Sequence, residues 1–411
     1  MASNVIPIPT LEARLKRAIR HHLDSLGFLR SADGQLALSS TAKETYRHLH
    51  HAQRRDILRV KHKFISDAWD EVSMYFANGC EVDPERIAPR LELIEPSTWQ
   101  SRLFRLACLT WSVPVSGGYG RRLRFLVWDE WNGRLIGVIG LTDPVFNLSA
   151  RDKYIGWNAK DRAIRLINML DAFVLGALPP YNLLLGGKLV ASLVKTTEVV
   201  AAFKKKYARA LGTISGKPRD ANLVAVTTTS ALGKSSLYNR LKLERKFIFQ
   251  RIGFTQGWGH FHVPDELFLG IREYLRSLGD EYADNHRFGD GPNWKLRALR
   301  RAFEHLGIRP DLLRHGIARE VFFCSFAPNA LHILRGESTE PDYAAIRCVG
   351  EMGELARRRW IEPRAKVSQG AREWVRSNLK EALGLNAAPP LAPAKKQVSG
   401  RVSYGVSKLR S

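Results

Sequence analysis

Cysteine is scarce in this chain. Four stand among 411 residues, Cys80, Cys108, Cys324 and Cys348, far apart and with no CxxC pair. That spacing excludes a zinc ribbon and a disulfide framework, and it points to a reducing compartment, the cytoplasm. Long apolar runs are missing as well, since none reaches the roughly 18 residues that a membrane-spanning helix needs. The most apolar stretch, "MLDAFVLGALPPYNLLLGG", is broken by Asp171 and by Pro179-Pro180. The start, "MASNVIPIPTLEARLKRAIRHH", places no apolar segment behind a basic one, so no secretory signal is expected. Acid is also short: 40 Asp and Glu stand against 64 Lys and Arg, a formal charge of +24. Such a surplus attracts polyanions. With membrane as the weaker option, the expected partner is nucleic acid, DNA first and single-stranded DNA included.

The chain is long enough for two to four folded units at roughly 100–200 residues each. Residues 1–84 read as a helical, basic N-terminal region. In "LEARLKRAIRHHLDSLGF", Leu11, Leu15, Ile19, Leu23 and Leu26 form one stripe at helical spacing. The basic, His-rich "TAKETYRHLHHAQRRDILRVKHKF" repeats that period, either as a solvated face or as a helix laid on phosphate. Residues 85–265 read as a mixed α/β core. Two β-rich runs flank Asn132-Gly133 in "RLRFLVWDEWNGRLIGVIGLTD", which predicts a hairpin with a type I′ turn. Alternating helices and strands follow, which is the pattern of a mixed sheet. Helices dominate again over 266–385, and 386–411 is a flexible basic tail rich in Pro, Ala, Lys, Ser and Gly.

Three stretches invite a site reading. "TTTSALGKSSLYNR" ends like a phosphate-binding P-loop in Gly233-Lys234-Ser235, but the glycine required five positions earlier is Thr228. What remains is a strand, a loop and a helix start able to hold an anion, or a simple helix cap. "PPYNLLLGGKLVASLV" sits between a strand and a helix, and the order of elements around it resembles the N-acetyltransferase-like fold. Leu183 and Lys188 depart from that fold's cofactor loop, and Gly186-Gly187 would equally serve a tight turn.

"GWGHFHVP" carries His260 and His262 one residue apart, on one face if the segment is a strand. The pair resembles the metal-holding half of the HUH single-strand nucleases. It would bind a divalent metal, Mg²⁺ or Mn²⁺, with a tyrosine such as Tyr282 or Tyr274 as nucleophile. Asp143 or Asp152 would supply a third ligand if the fold brings one near. Two histidines without an acid on their own strand serve equally as phosphate contacts. Aromatic residues interleaved with cations recur, as in "HRFGDGPNWKLRALRR". The expected phosphate contacts are Arg121, Arg122, Lys188, Lys234, Ser235, Arg240, Arg297, Arg300 and Arg301, with Trp258 and Trp294 stacking on bases.

Longer blocks carry a family resemblance. "LTWSVPVSGGYGRRLRFLVWDEWNGRLIGVIGLTDPVFNLSARDKYIGW", "DAFVLGALPPYNLLLGGKLVA", "VTTTSALGKSSLYNRLKL", "FQRIGFTQGWGHFHVP" and "LLRHGIAREVF" together resemble the DruA family of bacterial proteins, over about residues 80–380. The resemblance implies a role in defence against phage, in the Druantia system, or in a mobile element, with other defence subunits as partners. It carries over no reaction and no catalytic residue. The expectation is a nucleic-acid-binding protein with an acetyltransferase-like core. Its rivals are a metal-dependent DNA-nicking or strand-transfer enzyme and an acyl-group-modifying enzyme.

Overall fold

The computed structural model describes residues 10–30, 36–38, 43–207, 221–257, 263–284, 292–309 and 317–386. His260, His262 and Trp258 lie outside them, as does the basic tail.

The centre is a seven-stranded sheet. Its strands are β3 (Pro89–Leu93), β4 (Arg122–Asp129), β5 (Arg134–Thr142), β6 (Met169–Ala177), β7 (Ala225–Thr229), β10 (Gln250–Phe254) and β11 (Glu320–Ser325), in the order β10-β11-β7-β6-β5-β4-β3. Two short ribbons stand apart: β1 (Phe28–Arg30) pairs with β2 (Leu36–Leu38), and β8 (Lys242–Leu243) pairs with β9 (Lys246–Phe247). Neighbours in the main sheet are antiparallel except β6 and β7. A parallel pair needs a crossover, and among its described residues are two α-helices, α7 (Gly186–Ser192) and α8 (Thr197–Tyr207). Strand β11 comes from the stretch that reads as helical and inserts between β7 and β10.

The hairpin forms as expected, but its turn differs. A type I′ turn needs positive φ at both central residues. Gly133 has φ +67°, whereas Asn132 is not among the residues with positive φ. The loop spans residues 130–133, closed by Gly133 N–H donating to the Asp129 carbonyl at 2.8 Å. Buried contacts hold this shape. The Asp129 carboxylate accepts from Ala88 N–H at 3.0 Å and from the Tyr181 hydroxyl at 2.9 Å, and the Asn132 amide donates to Glu81 O and to Tyr181 Oη.

Side chains alternate across the sheet, as the pleat requires. Leu123, Phe125 and Val127 of β4 face a core closed by α7, α8 and α12 (Val349–Ala356). Leu126 and Trp128 face the other side, under α3 (His62–Val72) and α4 (Trp99–Cys108). A separate helical core joins α1 (Leu11–Ser25), α9 (Asp265–Ser277) and α10 (Pro292–His305). In α1 the Thr10 hydroxyl accepts from Ala13 N–H as the cap, and Leu15, Ile19 and Leu23 are buried while Leu11 stays on the rim. Helix α2 (Lys43–Val60) joins the two bodies: Tyr46 and Leu49 pack in the helical core, and Leu58 packs on the α3–α4 side of the sheet.

Candidate functional site

Where α2 spans from the helical core to the sheet it roofs a cleft of about 1340 Å³. One face of the helix lines it, through Gln53, Asp56, Ile57 and Val60, spaced three and four apart as a helical face demands. The opposite wall is the middle of the sheet, at Asp171 of β6 and Thr229 of β7. It continues into the loop after β5 and two helices, α5 (Ser149–Ile155) and α6 (Ala159–Arg165). Arg59, Lys61, Arg162, Lys295 and Arg319 place five cations on the lining. Gln256, Val263 and Pro264 line the cleft as well.

Asp56, Asp152, Asp171 and Glu266 put four acids on the same lining, and Asp171 is the one carried by the sheet. Thr227 Oγ1 donates to its Oδ1 at 2.8 Å, and burial pushes its carboxyl up to about 6. A carboxyl that exchanges its proton near neutral pH can serve as an acid or a base. Behind it Arg151, with no exposed side-chain surface, donates to Asp152 Oδ1 at 2.9 and 2.7 Å and to the carbonyls of Val145 and Phe146. Arg162 holds the other Asp152 oxygen at 3.0 Å. His50, on α2, is held down to about 4 by burial and then by the Arg319 charge, so it is neutral at neutral pH. Burial, then the nearby Asp171 and Asp143 carboxylates, keep the Tyr119 phenol above the usual range. Among the described residues no group of three His, Cys, Asp or Glu side chains could hold a metal ion.

Most residues singled out from the sequence lie elsewhere. Arg121 is committed to the fold: it holds Asp143 at 2.7 Å and donates to the carbonyls of Ile167, Leu166 and Met169. Arg122 is exposed beside Gly118 O. Lys188 and Arg240 come together with Arg359, and Lys188 Nζ lies over the Trp360 ring at 5.5 Å. Lys234 is exposed. On α10, Arg297, Arg300 and Arg301 are exposed, and Arg301 pairs with Asp280 and Glu304. Trp294 packs edge-on against Phe268 and donates to Tyr282 O at 3.3 Å, a position inside the helical body. Tyr282 stands in the short helical turn Glu281–Ala283 and does not line the cleft, and Tyr274 is buried in the helical core.

In the loop that ends like a P-loop the helical element is a single turn, Tyr238–Arg240. The anion at this loop is the chain's own: Glu320, 1% exposed, accepts from Ser235 N–H at 2.7 Å and from the Asn239 amide at 2.8 Å, with Arg251 at 3.2 Å. The "LLLGG" loop takes its structural reading, because a Cβ on Gly186 would sit 2.6 Å from Tyr181 O. Beyond Asp171 and Thr227, β6 and β7 no longer pair. The rings of Phe249 and Phe322 stand 5.1 Å from Tyr238, which faces Thr228 there.

In the sequence Asp171 stands out only as a break in an apolar run, although an acid inside a strand is itself a signal. No such signal marked Arg162, Lys295 or Arg319, whose charges converge only through the fold.

The family model described as Druantia protein DruA matches residues 40–336. A curated protein of Escherichia coli (strain UMEA 4076-1), "Druantia protein DruA", is 49% identical over 372 residues, covering 90% of this chain and 92% of its own. No solved structure matches the chain significantly.

Proposed function

The chain belongs to the DruA family, and from that premise we propose that it serves in bacterial defence against phage by holding nucleic acid, DNA first, along the cleft under α2. The observation that carries this reading is the convergence of Arg59, Lys61, Arg162, Lys295 and Arg319 on one open cleft in a chain of charge +24. Part of that charge is spent internally, on Asp152 by Arg162 and on Asp56 and Glu266 by Arg59 at 3.5 and 3.6 Å. A phosphate backbone would compete for the exposed Arg59 and for Lys295, which donates to Val263 O at 3.1 Å, and would add Lys61. Other subunits of the defence system are the expected protein partners. Among the described residues no helix is long and apolar enough to cross a membrane.

The test is binding of a labelled single-stranded oligonucleotide and its duplex, followed by anisotropy. With four phosphate contacts on a single strand, affinity falls on the order of 50-fold between 50 and 200 mM salt. The double variant Arg59→Glu/Lys295→Glu weakens binding further and flattens the salt dependence. Binding that ignores both salt and the variant, or no binding at all, overturns the reading.

Asp171 favours a second, enzymatic reading, in which the cleft cuts or transfers the strand it holds and Asp171 carries a proton at the reacting oxygen. His260 and His262, which lie outside the described residues, would then hold a divalent metal. It predicts Mg²⁺- or Mn²⁺-dependent cleavage that His260→Ala and Asp171→Asn each abolish while strand affinity persists. An acyl-transfer reading has less support, because Tyr238 and its ring neighbours crowd the place where β6 and β7 part.

A further inference from the structure

Beside the cleft, between α2, α4 and the sheet, lies a smaller pocket of about 280 Å³. Its lining contains four cations, Arg54, Lys61, Arg105 and Arg124, and no carboxylate. Among the described residues, Lys61, Arg105 and Arg124 form no ion pair with an acid. Burial, Arg122 and then Arg105 lower the Arg124 guanidinium from its ordinary value. Cys108 does not supply the missing negative charge, because burial pushes its thiol up to about 12. Gathering like charges around an apolar floor costs free energy that an anionic ligand would return.

The floor is aromatic. Phe64, Phe104, Trp111 and Phe173 line it, Arg105 lies over the Phe64 ring at 4.2 Å, and Arg124 lies over Phe104 at 5.8 Å. Arg54 fixes one wall by donating to the Trp111 carbonyl at 2.9 Å and to Ala382 O. Two strand glycines let the rings lie on the sheet. A Cβ at Gly140 would sit 2.4 Å from the Phe173 ring, and one at Gly176 would sit 2.4 Å from the Trp111 ring. Ile57, Lys61 and Ser116 line this pocket and the large cleft alike, so the two are continuous.

We propose that this pocket is a site for one nucleoside phosphate, its base against Trp111 and Phe173 and its phosphate between Lys61, Arg105 and Arg124. Aromatic faces accept any base, while the cations demand the phosphate. The volume lies near the lower end of the range for small-ligand sites, about 300–1,000 Å³, which suits a single nucleotide. The ligand has two possible sources, a free nucleotide or one unit of a strand lying in the cleft. Only the second rests on the nucleic-acid reading above.

The experiment titrates the full chain with adenosine and cytidine 5′-monophosphates, the two nucleosides and inorganic phosphate, reading tryptophan fluorescence and calorimetry. Saturable binding of a monophosphate is expected, tighter than either half-ligand, and weakened roughly tenfold or more by Lys61→Gln/Arg105→Gln. Both residues are exposed, so the fold should survive, and circular dichroism checks it. Competition by a single-stranded oligonucleotide at equal nucleotide concentration assigns the site to a strand unit. Failure to compete assigns it to a free nucleotide. Absence of saturable binding by both monophosphate and oligonucleotide overturns the proposal, as does binding that the double variant leaves unchanged. Oligonucleotide binding that responds to Arg59→Glu/Lys295→Glu alone overturns this site and leaves the cleft reading standing. Monophosphate binding without strand binding does the reverse.

Discussion

At the shoulder of the sheet around residues 143–171, Arg121 and Arg151 give their hydrogen bonds to carboxylates and carbonyls of the chain itself. The β7 loop is similar, with Glu320 filling the place where an outside anion would sit. Across the cleft, at α2 and α4, Lys61, Arg105 and Arg124 surround an aromatic floor with no acid on the lining. Both regions are rich in cations. In the first the charge is balanced inside the protein and holds the fold. In the second it is left for something else, and that difference, rather than the count of arginines, marks the binding surface.

The comparison breaks most visibly on stability. Arg151→Met removes one of the two arginines that hold Asp152, together with the donor to two carbonyls, at a side chain with no exposed surface, and should cost about 3–5 kcal/mol in urea unfolding. Glu320→Ala leaves the Ser235 N–H and the Asn239 amide without their acceptor and should cost about 2–3 kcal/mol in the same measurement. A loss below about 0.5 kcal/mol in either would show that the internal pairs are not structural.

Asp171 adds a pH dependence of defined sign. Its folded carboxyl, at about 6, lies above the ordinary 3.8, so the folded state binds the extra proton. Its contribution is full below about pH 4 and is lost as pH rises through 6. Asp171→Asn should therefore stabilise the protein at pH 8, by at most about 3 kcal/mol, and by nothing at pH 3.5. His50 runs the opposite way. Held down to about 4, it withdraws stability as pH falls from 6.5, so His50→Gln should flatten the acid limb of the unfolding profile. The smallest expected effect on stability comes from the other region. Arg105→Gln should change unfolding by less than about 0.5 kcal/mol, while lowering the salt slope of single-strand binding by about 0.7.

Much of the fold was legible in the sequence. The period of "LEARLKRAIRHHL" marked α1, and the paired β-rich runs around Asn132-Gly133 marked the central hairpin, because local side-chain spacing decides those elements. The turn type was not legible, since Tyr181 and Glu81, both distant in the chain, hold Asn132. Strand β11 was hidden for a similar reason: "EVFFCS" has no hairpin partner nearby and is placed by β10 and β7, whose paired residues lie 66 to 100 positions back. The site was the least legible part. Expected phosphate contacts such as Arg121 and Ser235 bond within the chain, and the cations that line the cleft and pocket are scattered from α2 to residue 319.

By itself, then, the sequence determined the charge surplus, the periodic helices, the hairpin and the family, because composition, spacing and long shared blocks are properties of the chain in one dimension. Only the tertiary structure decided which charges are already neutralised. An arginine is available to a ligand or consumed by the fold according to whether a carboxylate or carbonyl lies within about 3 Å, and that distance does not exist until the chain has folded.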